Sequence, residues 1–319
     1  MVLKGLKMKI LVTGGAGFIG SWLCDSLIKE GHEVVCIDNL GSGDKKNVEH
    51  LLPNPRFKFM KHDIREPLEI GEKVDCIFHL ASRASPADFE RYSIDILLAN
   101  SLGTYNMLEL TRKNNARFLL ASSSEIYGDP KVHPQLESYW GNVNPIGPRS
   151  CYDEGKRFSE SLTVNFHKKH DLDVRIARIF NTYGPRMSPS DGRVISNFIV
   201  QALKNEPITV YGDGSQTRSF CHVSDMVDGL MKLMFTDGLG GNVINLGSRD
   251  EVAVLEVAKL IKKLTGSKSE ITFKPLPKND PKRRNPDISK AKNLLGWEPS
   301  IALDEGLHKT IEYFRSVLK

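Results

Sequence analysis

Lys9-Ile10-Leu11-Val12-Thr13-Gly14-Gly15-Ala16-Gly17-Phe18-Ile19-Gly20 is the stretch that decides the fold. Its first five residues are a short apolar run that reads as a buried strand. Gly17 to Glu30 then carries Ile19, Leu23, Leu27 and Ile28 at helical spacing, and Gly31-His32 stops the helix. Between strand and helix, Gly14, Gly17 and Gly20 have the spacing G-x-x-G-x-x-G. In that context each glycine has a job: Gly14 permits the tight turn, Gly17 the close approach of a pyrophosphate, and Gly20 the close packing of helix on strand. The helix N-terminus adds free N–H groups and the positive end of its dipole.

Working outward, Val34–Ile37, Arg56–Met60, Val74–Leu80, Arg117–Ala121 and Asp173–Ile179 read as further strands. Ile94–Lys113 and Ser150–His170 read as long helices. Such alternation predicts right-handed βαβ units, and so an α/β fold with a Rossmann-type doubly wound parallel sheet. Asp38 ends the second strand 18 residues after Gly20. A carboxylate there accepts hydrogen bonds from the adenosine ribose hydroxyls and repels a 2′-phosphate, which predicts NAD rather than NADP. Asp63 follows the third strand and reads equally as an adenine contact or a helix cap.

After Asn181 the texture changes to Gly, Pro and Arg (GPRMSPSDGR, YGDGSQTR) with shorter segments. The chain of 319 residues suits two domains, or one α/β unit with a cap. We read residues 1–180 as the NAD-binding domain and 181–319 mainly as a smaller substrate lobe. Segments near 217–247, among them Cys221-His222 and Val243–Leu246, are expected to return to the main sheet. Residues 274–287, with four prolines, read as an extended loop. Short helices are expected near Ile288–Leu295 and Leu303–Val317.

Composition narrows the function classes. Apolar residues make up 40% and charged residues 26%, which excludes a disordered chain. No apolar run approaches the ~20 residues of a membrane span, and Met1–Lys7 reads as no secretory signal. The net charge of +5 comes with only one dense basic cluster, Lys282-Arg283-Arg284, so no nucleic-acid partner is expected. Cys24, Cys36, Cys76, Cys151 and Cys221 form no C-x-x-C pair and match no zinc spacing, so no metal is expected. Cys36 and Cys76 lie in apolar strands and read as core thiols. A reducing, cytoplasmic compartment fits.

Tyr152 and Lys156 lie four apart on one predicted helix and share a face. An ammonium beside a tyrosine, together with a positive nicotinamide ring, favours the phenolate and makes Tyr152 a candidate general base for a substrate hydroxyl.

The glycine spacing, the Tyr-x-x-x-Lys pair and His79-Leu80-Ala81-Ser82 closing the fourth strand resemble the extended short-chain dehydrogenase/reductase superfamily. The stretches Tyr139–Arg157 (YWGNVNPIGPRSCYDEGKR), Arg178–Met187, Asp191–Ile199, Thr209–Phe220 and Leu294–Pro299 resemble the UDP-glucuronic acid decarboxylases within it. Two departures stand out. Arg83 replaces the first proline of the family's S-P-A-S-P, with an expected effect near the sugar carboxylate, and Ala87–Leu98 diverges.

The resemblance implies the rest of the site. Ser123 would hydrogen-bond the substrate hydroxyl beside Tyr152. Dehydratases of the superfamily carry Asp-Glu at the next two positions, an acid–base pair that expels a hydroxyl; here Ser124-Glu125 keeps one carboxyl. Phe18, Ile19, Asn39, Ile64, Leu80, Ser82, Ala121 and Thr182 would complete the cofactor site, and Lys156 would reach the nicotinamide ribose. Asn181 would contact substrate, and Arg193 would reach cofactor or uridine diphosphate. Tyr211, Gln216 and Arg218 would hold the nucleotide, through stacking on uracil, a ribose hydroxyl and phosphate respectively. Arg284 would face the sugar carboxylate. The implied activity is NAD-dependent decarboxylation of UDP-glucuronate to UDP-xylose by a homodimer, whose contacts would include Leu97, Leu98, Leu102, Tyr105 and Phe158. A UDP-sugar 4-epimerase or 4,6-dehydratase, or an NAD-binding regulatory or scaffold protein, remain the alternatives.

Overall fold

A computed structural model describes residues 7–276 and 283–318. The first six strands are β1 (Lys9–Thr13), β2 (Glu33–Asp38), β3 (Phe57–Lys61), β4 (Cys76–His79), β5 (Arg117–Ser123) and β6 (Val174–Ile179). With the strand Asn242–Leu246 they make one seven-stranded sheet, in the order Asn242–Leu246, β6, β5, β4, β1, β2, β3. Every pair in it is parallel, as the alternation predicts.

Both faces of the sheet are covered, which is why central strands such as β1 and β5 are largely apolar; the edge strand β3 (FKFMK) alternates. Ile10 and Val12 pack into one core with Leu23, Leu27 and Leu230. Leu11, on the opposite face, packs with Met107, Leu108 and Phe166. The first core is closed by helix α1 (Phe18–Lys29) and by Val223–Phe235. The second is closed by α3 (Thr104–Asn114) and α4 (Ser150–His170); α2 (Ser93–Leu98) leads toward α3 and packs its Ile96 with Phe89, Cys151 and Tyr152. The strand order reverses between β1 and β4, so a crevice opens outside their carboxyl ends, the usual ligand position in an open α/β sheet.

The helix predicted over Ile94–Lys113 exists but is not uniform: Ala99–Gly103 form a π-helical turn between α2 and α3. Asn100 explains it, since its Nδ2 donates to both Ser82 Oγ and Ile96 O at 2.9 Å. Gly103 is required beneath it, because a Cβ there would lie 2.5 Å from Ile64 Cδ1.

Three expectations are corrected. Cys221–His222 does not return to the main sheet; it pairs with Thr182–Tyr183. The segment 274–287 is not wholly loop, because Ile271–Lys274 pairs with Ile208–Tyr211 and Arg283–Arg284 pairs with Thr217–Ser219. The fourth strand is shorter than Val74–Leu80, spanning Cys76–His79. Residues 277–282, including Lys282, and Met1–Leu6 lie outside the described residues.

All five cysteines are free and buried. The C-terminal part builds a third core around Phe198, Ile199, Val210, Val257, Ile261 and Phe314. Among the described residues, no helix is long and apolar enough to cross a membrane.

Candidate active site

A cleft of about 820 Å³ runs along the carboxyl edge of the sheet and into the C-terminal part. That volume suits an organic ligand of dinucleotide or nucleotide-sugar size. Every candidate residue named from the sequence lines it.

At one end is the glycine turn. Gly14 has φ +69°, and a Cβ on it would lie 2.9 Å from the Ala81 backbone; a Cβ on Gly20 would lie 2.2 Å from Gly14 O. No side chain caps the N-terminus of α1 at Gly17. An uncapped helix end behind a turn that admits no side chain is what a pyrophosphate requires, so the residues present fit a dinucleotide. Asp38 stands beside it, accepting from Ala16 N at 3.1 Å and Leu40 N at 2.8 Å. Burial pushes its carboxyl up, while those two bonds oppose the shift.

Asp63, left open as adenine contact or cap, has both oxygens engaged. Its Oδ1 accepts from Arg65 N and Nε at 3.0 Å, and its Oδ2 accepts from Asn39 Nδ2 at 2.9 Å. The Arg65 side chain holds the Asp63 carboxyl well below the usual carboxylate range.

The middle of the cleft holds the Tyr–Lys pair. On α4 both side chains are buried, and Lys156 Nζ donates to Ala121 O at 2.9 Å. It lies 5.7 Å from the Tyr152 ring centroid. Burial lowers the Lys156 ammonium to about 8. Burial also raises the Tyr152 phenol to about 12, against a hydrogen bond with Ser123. The pair therefore does not make a phenolate by itself: with no cofactor charge in the cleft, desolvation wins.

Beneath them, His79 Nδ1 shares a hydrogen bond with Thr13 Oγ1 at 2.8 Å and its Nε2 lies 3.2 Å from Thr104 Oγ1. Burial, with Lys156 nearby, lowers this imidazole to about 3, so it is neutral. It ties β1, β4 and α3 together under the nicotinamide side of the cleft.

Glu125 marks the far wall. Arg284 Nη1 donates to its Oε1, and Arg149 Nη2 donates to its Oε2 at 2.6 Å. Burial alone would raise this carboxyl, but the two guanidinium groups outweigh it and hold the pKa well below the ordinary range. Sequence reading missed Arg149. It sits at the N-terminus of α4, and its guanidinium lies 5.6 Å from the centroid of Phe89, a ring that stacks on Tyr152 at 5.3 Å. The only signal it gave was its place inside the Tyr139–Arg157 stretch.

In the nucleotide half, Arg284 pairs in register with Arg218. Gln216 Nε2 donates to Tyr211 O at 2.7 Å. Tyr211 itself is half-exposed at the cleft wall. Arg193 is paired with Asp191. Arg83 turns against Asp88, Gly41 and Tyr92. No group of three or more His, Cys, Asp or Glu among the described residues could hold a metal ion.

A family model described as GDP-mannose 4,6 dehydratase matches residues 11–310. UDP-glucuronic acid decarboxylase 1 of Xenopus tropicalis is 54% identical over 98% of this chain and 73% of its own length. The chain belongs to the UDP-glucuronic acid decarboxylase family. Its similarity to UDP-glucuronic acid decarboxylase 4 of Arabidopsis thaliana is 53% over 98% of this chain and 70% of that protein. Among solved structures it resembles UDP-glucuronic acid 4-epimerase of Bacillus cereus, bound to UDP-glucuronic acid and NAD. The TM-score is 0.87 and the identity 30%, over 97% of this chain and all of that one. As in its relatives of this fold, NAD is the cofactor, and the fit of the glycine turn agrees.

Proposed function

We propose that this chain decarboxylates UDP-glucuronate to UDP-xylose, with residues 1–180 holding NAD and residues 181–319 mainly holding the UDP-sugar. The observation that carries this reading is Glu125, gripped by two arginines and preceded by no second acid. Ser124 stands where a dehydratase needs the acid that expels a hydroxyl. A carboxylate locked in its charged form cannot donate that proton.

The residues suit each step. Tyr152, as phenolate, takes the proton of the 4-hydroxyl; Lys156 and a bound nicotinamide ring supply the positive charge that opposes its burial. Bound NAD supplies the two-electron acceptor at carbon 4 and returns the electrons at the end of the cycle. The 4-keto sugar is a β-keto acid, and its carboxylate leaves as carbon dioxide with the electron pair passing into an enolate. Protonated Tyr152 and Ser123 donate to the enolate oxygen. Arg284 holds the carboxylate before it leaves, and Glu125 orders the water that protonates carbon 5. Asn181, Arg193, Tyr211, Gln216 and Arg218 hold the nucleotide.

Mass spectrometry of products formed from UDP-glucuronate and the NAD-loaded protein tests this. UDP-xylose is the expected product. A product that keeps its carboxylate, with carbon 4 inverted, would make the chain an epimerase.

The reading extends to a two-fold homodimer in the cytoplasm. What supports the dimer is a row of exposed apolar side chains on one helical layer: Leu97 and Leu98 on α2, Leu102 in the π-helical turn, Tyr105 on α3 and Phe158 on α4. What supports the compartment is five unpaired cysteines.

A further inference from the structure

We propose that Arg83 is a latch that closes over bound NAD and sets the rate at which the cofactor leaves. The inference rests on NAD binding and on the placement of one side chain, not on the identity of the sugar.

Arg83 lies just past the end of β4. Its Nη1 donates to Asp88 Oδ2 at 3.0 Å, and its Nη2 donates to the Gly41 carbonyl. The guanidinium carbon is 3.9 Å from the centroid of the Tyr92 ring, so the planar group is clamped on three sides.

The sheet order gives this bridge its meaning. Gly41 belongs to the loop that follows β2, and Arg83 to the segment that follows β4; β1 lies between those two strands. The Arg83–Gly41 bond therefore joins the two loops that flank the end of β1. That is the Gly14–Gly17 turn, where the pyrophosphate sits.

The loop it holds is also anchored from below. Asn39 Oδ1 accepts from Gly41 N at 2.8 Å, and Asp44 N donates to Ala16 O at 3.1 Å. Beyond Arg83, Ser85 Oγ donates to Asp191 O, beside Arg193. The outer wall is thus continuous from the adenosine side to the substrate side, and Arg83 is the side chain that joins its first two segments. A reaction that regenerates NAD in place gains from slow release.

Stopped-flow release tests the latch. The protein is loaded with NADH, an excess of NAD is added, and the decay of nicotinamide fluorescence gives the release rate. Arg83→Met keeps volume over Tyr92 but donates no hydrogen bond. Removing a charge-assisted bond is expected to speed release by about tenfold or more, and to lower the NAD content of the purified protein. Unchanged or slower release from a Met variant that melts like the parent overturns the proposal. If that variant fails to fold, Asp88→Asn, which removes the charge that orients Arg83, gives the same reading: faster release supports the latch and an unchanged rate overturns it.

Discussion

Arg149 donates to Glu125 at 2.6 Å across 24 residues of chain, and so shares with Arg284 the work of keeping that carboxyl ionised. Both partners of the Arg149 contact are mostly buried, so solvent screens it little. Replacing Arg149 with Met leaves Glu125 with one cation. Burial then weighs more, and the carboxyl takes up a proton at a higher pH. We expect kcat to fall roughly ten- to a hundredfold and the acid limb of the kcat–pH profile to move upward. A lower rate with an unmoved acid limb would show that Arg149 only braces α4.

Lys156 gives an opposite pairing of activity and stability. Burial lowers its pKa from 10.5 to about 8 in the folded protein. Between those two values the unfolded chain binds more protons, so this residue makes stability rise as pH climbs from about 8 toward 10.5. Below pH 8 the buried charge is a standing cost of about 3 kcal/mol. Lys156→Met is therefore expected to lose most activity yet melt no lower than the parent at pH 7. Its relative advantage should shrink by pH 10. A large drop in melting temperature at pH 7 would mean that the bond to Ala121 O outweighs desolvation.

Asp153 follows Tyr152 and is buried, and its Oδ1 has no hydrogen-bond partner. Burial, then the Glu125 carboxylate, raises its carboxyl to about 7. Here the folded state binds more protons between the unfolded value and about 7, so stability falls as pH rises through that window. Asp153→Asn removes the charge at nearly constant volume. The variant is expected to melt several degrees higher at pH 8 and to converge with the parent near pH 4, read by calorimetry across that range. Equal melting at both ends would contradict the shift.

The proposed homodimer has a simple disruption. Leu102 is exposed in the middle of the apolar row on the helical layer formed by α2, α3 and α4. Leu102→Glu places a charge where two such faces would meet. Light scattering at micromolar concentration should give a dimer for the parent and a monomer for the variant. A monomeric parent would refute the assembly.

What could be read from sequence, and what could not, divides along the distance over which the causes act. The parallel sheet and the glycine turn depend on neighbours in the chain, so KILVT followed by G-x-x-G-x-x-G was enough for both. The Tyr152–Lys156 face follows from helical spacing. The π-helical turn does not, because it depends on Asn100 reaching Ser82 across the fold. The two-residue strand Arg283–Arg284 is too short to show a period, and its partner lies at Thr217–Ser219. Arg149 carries no local signal at all, and only its contact with Glu125 reveals it. Arg83 was noticed as a departure from the family, but the direction of its side chain was not readable: Gly41 and Asp88 decide it.

Isotope labelling separates the proposed reaction from its nearest relatives. The Tyr152–Lys156 pair and the NAD site are arranged for oxidation at carbon 4. Glu125, held as an anion by Arg149 and Arg284, is not arranged to protonate a departing hydroxyl. Carbon dioxide is then the group that can leave, because the neighbouring ketone takes up the electron pair it leaves behind. The enolate must gain a proton at carbon 5, and in the proposed reaction that proton comes from solvent through water ordered by Glu125. In heavy water, UDP-glucuronate is therefore expected to give UDP-xylose with one deuterium at carbon 5, while the hydrogen at carbon 4 is retained. Catalytic amounts of NAD should suffice. NADH accumulating one-for-one with carbon dioxide would show that the ketone escapes before reduction. Deuterium absent from carbon 5 would remove Glu125 and its water from the proton path.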